Sequence, residues 1–232
     1  MPSTLELIIS HLQHAEKLHH KTQALGLVDA LRVLQDWQTK RLLATYQDLW
    51  QSKRFRPAME FFIDELYGPK DFSQRDQEIA RVVPKMAKLL PNQALQSLEA
   101  ALQLNSLSHE MDLNLTEHLV GKPVTRETYA QAYRLCDNRA QREQQLRLLE
   151  GLGEDLADVV KIKGISALLM LSRKPAKVAG VESLHSFLET GYKSFKRLGN
   201  VDDFIGPIVT RERQLMEGLF AQNDENPLPE ID

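Results

Sequence analysis

Glutamate and histidine recur at a spacing that could bind a metal. Glu16–His19 and Glu182–His185 each place the two side chains three residues apart. Such residues share a helix face, and di-iron bundles combine two Glu-x-x-His pairs with a further glutamate from each of two other helices. Nothing in the sequence selects those extra carboxylates. The two pairs are therefore candidates only, and we predict no metal site and no cofactor.

Histidines also concentrate near the start of the chain, at His11, His14, His19 and His20. An axial ligand for haem among them is an alternative, but the chain has no Cys-x-x-Cys-His sequence and nothing singles out one histidine. A solvated or hydrogen-bonded set is the interpretation that these residues favour.

Arginines and carboxylates mix between residues 54 and 81. The basic members are Arg54, Arg56, Arg75 and Arg81, and the acidic members are Glu60, Asp64, Glu65, Asp71 and Asp76. Because arginine binds carboxylates in a bidentate manner, the mixture favours ion pairs that fix a turn between two helices. The alternative is a pocket for a phosphate or carboxylate at the helix N-terminus predicted at Ser73, where free N–H groups point outward.

Aromatic residues fill the same part of the chain. Phe61 and Phe62 lie about 100° apart on a helix, so this helix is apolar over a wide arc. The pattern favours a core helix that contacts two layers, and the alternative is a groove for a ligand or a partner. We take as the candidate ligand or partner site Arg54, Arg56, Phe61, Phe62, Glu65, Tyr67 and Arg75.

Composition and missing motifs exclude several functions. The chain of 232 residues has a net charge of −3, which argues against a nucleic-acid partner, and its single cysteine, Cys136, excludes an intrachain disulfide. The longest apolar run, Ile165–Leu171, is too short to span a membrane. There is no phosphate-binding glycine loop, no Gly-x-Ser-x-Gly and no His-Glu-x-x-His, so we predict no catalytic residue. We expect a cytoplasmic protein with no membrane contact.

A basic cluster brackets that apolar run, at Lys161, Lys163, Arg173, Lys174 and Lys177. We interpret it as a solvated rim around a helix that is buried on most sides. The alternative is a membrane or nucleic-acid contact.

Apolar residues recur at helical spacing throughout the chain, which predicts an all-α fold. We expect a single-domain multi-helix bundle of about eight or nine helices over residues 1–221, built on a long second helix from Leu27 to Lys53. Thr125 should begin a helix that runs to about Leu149, with a break at Gly151 and Gly153. Residues 222–232 are polar and acidic, which is typical of a disordered tail.

The segment Phe61-Phe62-Ile63-Asp64-Glu65-Leu66-Tyr67 resembles the signature of the FFLEELY motif proteins. Ile63 and Asp64 depart conservatively from that motif, and the neighbouring Gly68-Pro69 and Arg75-Asp76 are also similar to that family. The resemblance implies a cytoplasmic bacterial helical protein. The family has no assigned reaction, so it transfers no functional residue.

Two functions fit these observations. The first is a non-enzymatic helical binding or scaffold protein with a protein partner or self-association. The second is a pocket protein that binds an apolar or anionic small molecule or, as a weaker alternative, a metal or haem. A cavity lined by Phe61, Phe62, Trp37 and Trp50 would favour the pocket protein, whereas a filled core with an exposed apolar patch would favour the binding protein.

Overall fold

The computed structural model describes residues 2–67, 73–86, 92–221 and 225–231. Within these ranges the chain forms eleven α-helices, one π-helical segment and no strand, which confirms the predicted all-α class with more helices than the predicted eight or nine. The arrangement as one domain stays a prediction.

The helices are, in chain order, α1 Thr4–Ala24, α2 Val28–Thr45, α3 Gln47–Gln51, α4 Arg56–Phe61, the π-helical segment Phe62–Tyr67, α5 Ser73–Met86, α6 Asn92–Leu119, α7 Arg126–Leu135, α8 Arg139–Val159, α9 Ile165–Val178, α10 Glu182–Leu198 and α11 Asp202–Phe220.

The centre of the fold is α6 rather than the second helix. With 28 residues, α6 is longer than α2, and it packs against α1, α2, α7 and α8. The helix predicted over Leu27–Lys53 is interrupted at Tyr46, whose φ of −116° separates α2 from α3. The interruption buries the Tyr46 ring completely and lets its hydroxyl donate a 2.7 Å hydrogen bond to Glu212 Oε1 on α11. A tertiary contact thus ends a helix that the periodicity alone would extend.

The helix break predicted at Gly151 and Gly153 is not found at these residues. Helix α8 continues through Gly151 and Gly153, and the chain turns instead at residues 136–138, where Asp137 has a left-handed φ of 45°. At Gly153 a Cβ atom would lie only 2.6 Å from Cγ1 of the buried Ile205 on α11. Glycine at this position serves a close helix crossing, not a helix end.

The core divides into packed clusters. One joins aromatic side chains from the α2–α3 junction, α4, α10 and α11, and includes Tyr46, Phe61, Phe187, Phe195 and Phe204. A second lies between α2, α6, α7 and α11 and includes Leu34, Leu115, Tyr129, Tyr133 and Leu219.

Residues 225–231, in the stretch for which composition predicts a disordered tail, lie against the helices. Leu228 is only 3% exposed and belongs to the second cluster. Arg126 at the start of α7 donates a 3.1 Å hydrogen bond to the carbonyl of Asn226 and pairs with Glu230.

The two glycines of α8 should respond oppositely to the same substitution. Gly153→Ala should lower the free energy of unfolding by about 1–3 kcal/mol, because the new methyl group overpacks the crossing with Ile205. Gly151→Ala is the matched control: no atom lies within 4 Å of its Cβ position. It should raise the free energy of unfolding by about 0.5–1 kcal/mol through helix propensity. Urea unfolding measures both, and equal effects would contradict the crossing.

Candidate functional site

The four arginines predicted to gather between residues 54 and 81 have separate partners. Arg54 donates a 2.7 Å hydrogen bond to the carbonyl of Leu198 and pairs with Asp203 at 2.8 Å, so it links α10 to α11. Arg56 pairs with Glu60 on its own helix at 3.0 Å, and its guanidinium lies 4.9 Å from the ring centre of Trp50.

Arg75 and Arg81 both belong to α5; Arg75 is buried, whereas Arg81 is exposed and reaches the chain just after α9. Arg75 donates a 2.7 Å hydrogen bond to the carbonyl of Glu65, pairs with Asp76 and lies over the Phe187 ring. Arg81 donates to the carbonyls of Ala179 and Gly180. The four arginines therefore contact different helices and do not form one cluster. The anion pocket predicted at the helix N-terminus at Ser73 stays a prediction, because the Ser73 side chain and the preceding residues 68–72 lie outside the described part of the chain.

The aromatic rings of the predicted site fill the core. Phe61 is 5% exposed, and its ring centre lies 5.5 Å from that of Phe187; a Cβ at Gly191 would lie 2.9 Å from its Cζ. Phe62 packs partly buried beside it. The Tyr67 side chain lies outside the described residues. A ligand role for these residues stays a prediction, and their described contacts are those of packing.

The two tryptophans named with these rings lie in different places. Trp37 stacks on Tyr129, with 4.5 Å between ring centres, in the second core cluster, whereas Trp50 packs against the first. Phe61, Phe62 and the two tryptophans therefore do not line one common cavity.

The histidines of the two Glu-x-x-His pairs make hydrogen bonds to other residues of the chain. His19 bonds to Gln23 at 2.9 Å, and His185 Nε2 lies 2.8 Å from the carbonyl of Leu169. In the residues that the structure describes, no group of three or more His, Cys, Asp or Glu side chains is placed to hold a metal ion, and this includes the pairs of Glu16 and Glu182.

The main departure from the sequence prediction is α9. Its apolar run was predicted to be buried on most sides, yet Leu168 is 54% exposed, Leu171 71% and Val178 90%. Together with the exposed Pro175 these residues form what we call the α9 outer stripe. The prediction was wrong because an apolar run indicates that a helix has partners, but not that this chain supplies all of them.

Helix α9 has a second apolar side, which does pack. Residues Ile165, Leu169, Ser172 and Ala176 are buried or half-buried, and they lie on a separate arc of the helix, centred about 110° from the outer stripe. The principal neighbour of α9 is α10. The helix therefore has two neighbouring arcs, and a helix of the described chain covers only the one that contains Leu169 and Ala176.

Charge sets this segment apart from the rest of the protein. Residues 161–178 carry five basic residues and no acidic one, while the whole chain has a net charge of −3. All five, Lys161, Lys163, Arg173, Lys174 and Lys177, are exposed. The outer stripe is thus an apolar surface in a locally cationic setting.

An ion pair connects α9 to α10. Arg173 Nε donates a 2.9 Å hydrogen bond to Glu189, which Lys193 also reaches at 2.6 Å. The hydrogen bonds from Arg173 and Lys193 lower the pKa of Glu189 to about 2. The pair is therefore fully formed above the ordinary glutamate pKa, and it is lost as the pH falls toward 2.

In the residues that the structure describes, these features define an all-helical protein with an exposed apolar face on α9. A family model described as a domain of unknown function (DUF8198) matches residues 17–226, and the chain belongs to this family. The match does not carry the FFLEELY motif name, so that finer assignment stays a prediction. Comparison with curated proteins and with solved structures finds no match. In the described ranges no helix has the length and hydropathy needed to cross a bilayer.

Removing the ion pair should loosen α9 selectively. In Glu189→Gln the backbone amides of α9 should exchange with deuterium roughly two- to fivefold faster, because an exposed pair contributes little and acts locally. Glu182→Gln, at the start of the same α10, is the control and should leave α9 unchanged. Hydrogen exchange read by mass spectrometry measures this. Unchanged exchange in α9, or equal acceleration along the whole chain, would argue against the proposed anchor.

Proposed function

We propose that this protein is a helical binding or scaffold protein without catalytic activity, and that its α9 outer stripe docks an acidic amphipathic helix of another protein. The observation that carries the proposal is the exposure of Leu168, Leu171 and Val178 in a segment with five basic residues and no acidic one. The filled aromatic core around Phe61 supports the same choice between the two functions.

The spacing of the stripe favours a helix as the occupant. Leu168, Leu171, Pro175 and Val178 follow one another at intervals of three, four and three residues. This is the a/d pattern of a helix–helix seam, and it keeps the four residues within an arc of about 80°. A partner helix with apolar residues at the same intervals would pack along it.

The charge of the segment favours an acidic partner over a second copy. Symmetric pairing of two such stripes would bring two sets of five basic residues together, and like charges at an interface oppose association. Lys174 lies next to the outer stripe, and Lys163 precedes the helix. Glutamates or aspartates that flank the partner's apolar seam would complement these charges.

The size of the stripe predicts a transient complex. Complete burial of each large apolar side chain contributes about 1.5–3 kcal/mol, and part of this is offset by the lost freedom of the two partners. We therefore expect a dissociation constant on the order of 10 μM, with a marked dependence on salt.

A designed peptide provides the test. We expect the full-length protein to bind a fluorescent helix of about three heptads, with leucine at positions a and d and glutamate at e and g. The double variant Leu168→Gln/Leu171→Gln should bind at least about tenfold more weakly, because each leucine loses its burial while helix propensity changes little. Fluorescence anisotropy at low and high salt measures the binding.

The control variant is Val33→Gln on α2, which removes an apolar side chain of similar exposure, 55%. It should bind the peptide as the wild type does. Equal binding of a peptide with lysine in place of glutamate would refute the charge argument. Binding to phosphatidylserine vesicles that the double variant abolishes would assign the stripe to a membrane surface. Concentration-dependent dimers that the double variant abolishes would assign it to a second copy.

A further inference from the structure

The C-terminal segment, residues 225–231, occupies a groove between α7 and α11. Leu228 is only 3% exposed, and it lines one small cavity together with Tyr129 of α7 and Met216 of α11. The segment contains no helix, and its other side chains are half-buried or exposed. One leucine therefore anchors an irregular stretch of chain between two helices.

Two prolines favour an extended shape for this segment. Pro227 and Pro229 flank the anchor, and a proline biases the residue before it towards β or polyproline II backbone conformations. Asn226 and Leu228 both precede a proline. The Leu228 N–H also donates a 3.1 Å hydrogen bond to Oδ1 of Asn226. The segment therefore resembles a short peptide whose backbone is partly ordered before it binds.

Arg126, the first residue of α7, binds the polar groups of the segment. It donates a 3.1 Å hydrogen bond to the carbonyl of Asn226 and pairs with the carboxylate of Glu230. Asn226 precedes the anchoring leucine and Glu230 follows it. One guanidinium thus recognises a backbone carbonyl on one side of the leucine and a carboxylate on the other, which its several donors in a planar fork allow.

Helix α11 approaches the first proline closely. A Cβ atom at Gly218 would lie 3.0 Å from Cβ of Pro227, so glycine leaves the room that this ring needs. At Gly206, on the same helix, a Cβ atom would meet nothing within 4 Å. The groove therefore combines an apolar site for leucine, a glycine surface for proline and an arginine for polar groups.

The segment fills this groove incompletely. A cavity of about 30 Å³ remains beside Leu228, and the buried Nε of Arg126 makes no hydrogen bond to any residue that the structure describes. Glu230 is exposed, and an ion pair with an exposed partner contributes little stability. The backbone freedom lost when the segment is ordered offsets most of the gain from burying one leucine. We therefore expect the segment to leave the groove while the helices stay folded.

We infer that this groove is a binding site for an extended peptide of another protein, with the sequence Pro-Leu-Pro followed by an acidic residue, and that residues 225–231 occupy it in cis as an intramolecular competitor. The contacts that hold the segment depend on a short sequence and not on its covalent connection to α11. The attached segment keeps weak ligands out, because its effective concentration is high. The inference does not depend on the α9 outer stripe.

A fluorescent peptide of residues 225–232 tests the site in trans on the full-length protein. In the wild type the attached segment competes with the peptide, so we expect weak binding. In Leu228→Ser the attached segment loses its anchor. This variant should bind the peptide at least about fivefold more tightly than the wild type does, with a dissociation constant on the order of 0.1 mM. Fluorescence anisotropy measures the binding.

Changes in the peptide identify the groups that the groove recognises. A peptide with serine in place of the leucine should bind to Leu228→Ser at least about tenfold more weakly, because it has no large apolar side chain to bury. Replacement of both prolines by alanine should weaken binding about threefold, because more backbone freedom is lost when the peptide binds.

Changes in the groove, each made in the Leu228→Ser protein, locate the peptide. Arg126→Gln should weaken binding about fivefold through the loss of charge-assisted hydrogen bonds, and Lys122→Gln, which removes an equal charge just before α7, is the control and should bind normally. Gly218→Ala should weaken binding about threefold, because the new methyl group meets the peptide proline. Its matched control is Gly206→Ala, which should bind normally.

Two further proteins keep the test decisive. Leu228→Ala is a smaller change, which serves if Leu228→Ser does not fold, and it should bind the peptide about threefold more tightly than the wild type. The double variant Leu168→Gln/Leu171→Gln, combined with the released segment, should leave peptide binding unchanged. Loss of binding in that protein would assign the peptide to the α9 outer stripe and overturn the inference.

Three other results would also overturn it. They are no saturable binding to Leu228→Ser at protein concentrations up to roughly ten times the expected dissociation constant, equal affinities of the wild type and Leu228→Ser, or equal binding of the leucine and serine peptides. Dimers of the wild type that form with increasing concentration, and that Leu228→Ser abolishes, would assign the groove to the C-terminal segment of a second copy instead of another protein.

Discussion

The pairing of Arg41 with Glu212 determines much of the arrangement of this protein. Arg41 is almost completely buried, and a guanidinium in such a place is tolerated only beside a carboxylate. Glu212 also accepts from Tyr46, so one carboxylate fixes the end of α2, the start of α3 and the position of α11. Removal of one member of a buried pair typically costs about 3–5 kcal/mol, which places this contact among the strongest constraints on the fold. It brings residues from the first fifth and the last tenth of the chain together around α6.

The same contact shows where sequence reasoning succeeds and where it ends. Helical periodicity was sufficient to predict the all-α class, since apolar residues at three- and four-residue spacing appear in nearly every segment. Helix ends were harder to place. Tyr46 interrupts a periodic stretch for the sake of a distant hydrogen bond, and Gly153 lies inside a helix because Ile205 approaches it. Both depend on residues far away in the sequence, which local propensities do not contain.

Sequence reasoning missed the exposed face of α9 and the buried pair of Arg41 for different reasons. Leu168 and Leu171 were recognised as apolar and were assigned to the core, because periodicity reports that a face needs a partner and not where the partner comes from. Arg41 carried a usable signal: it follows Leu34 and Gln38 at helical spacing, on a face that is otherwise buried. A charged residue on an apolar face indicates a buried ion pair. The identity of its partner, Glu212, required the tertiary structure.

The contact between Gly191 and Phe61 has a consequence for the divergence of related chains. A Cβ atom at position 191 would lie 2.9 Å from the Phe61 ring, so the helix α10 and the aromatic side chain share one volume. A larger side chain at either position therefore requires a smaller one at the other. Among homologues the two positions should therefore covary in size, with glycine opposite an aromatic ring and alanine or serine opposite a smaller aliphatic side chain. Phe61 and Gly191 would then change together, each substitution compensating for the volume of the other.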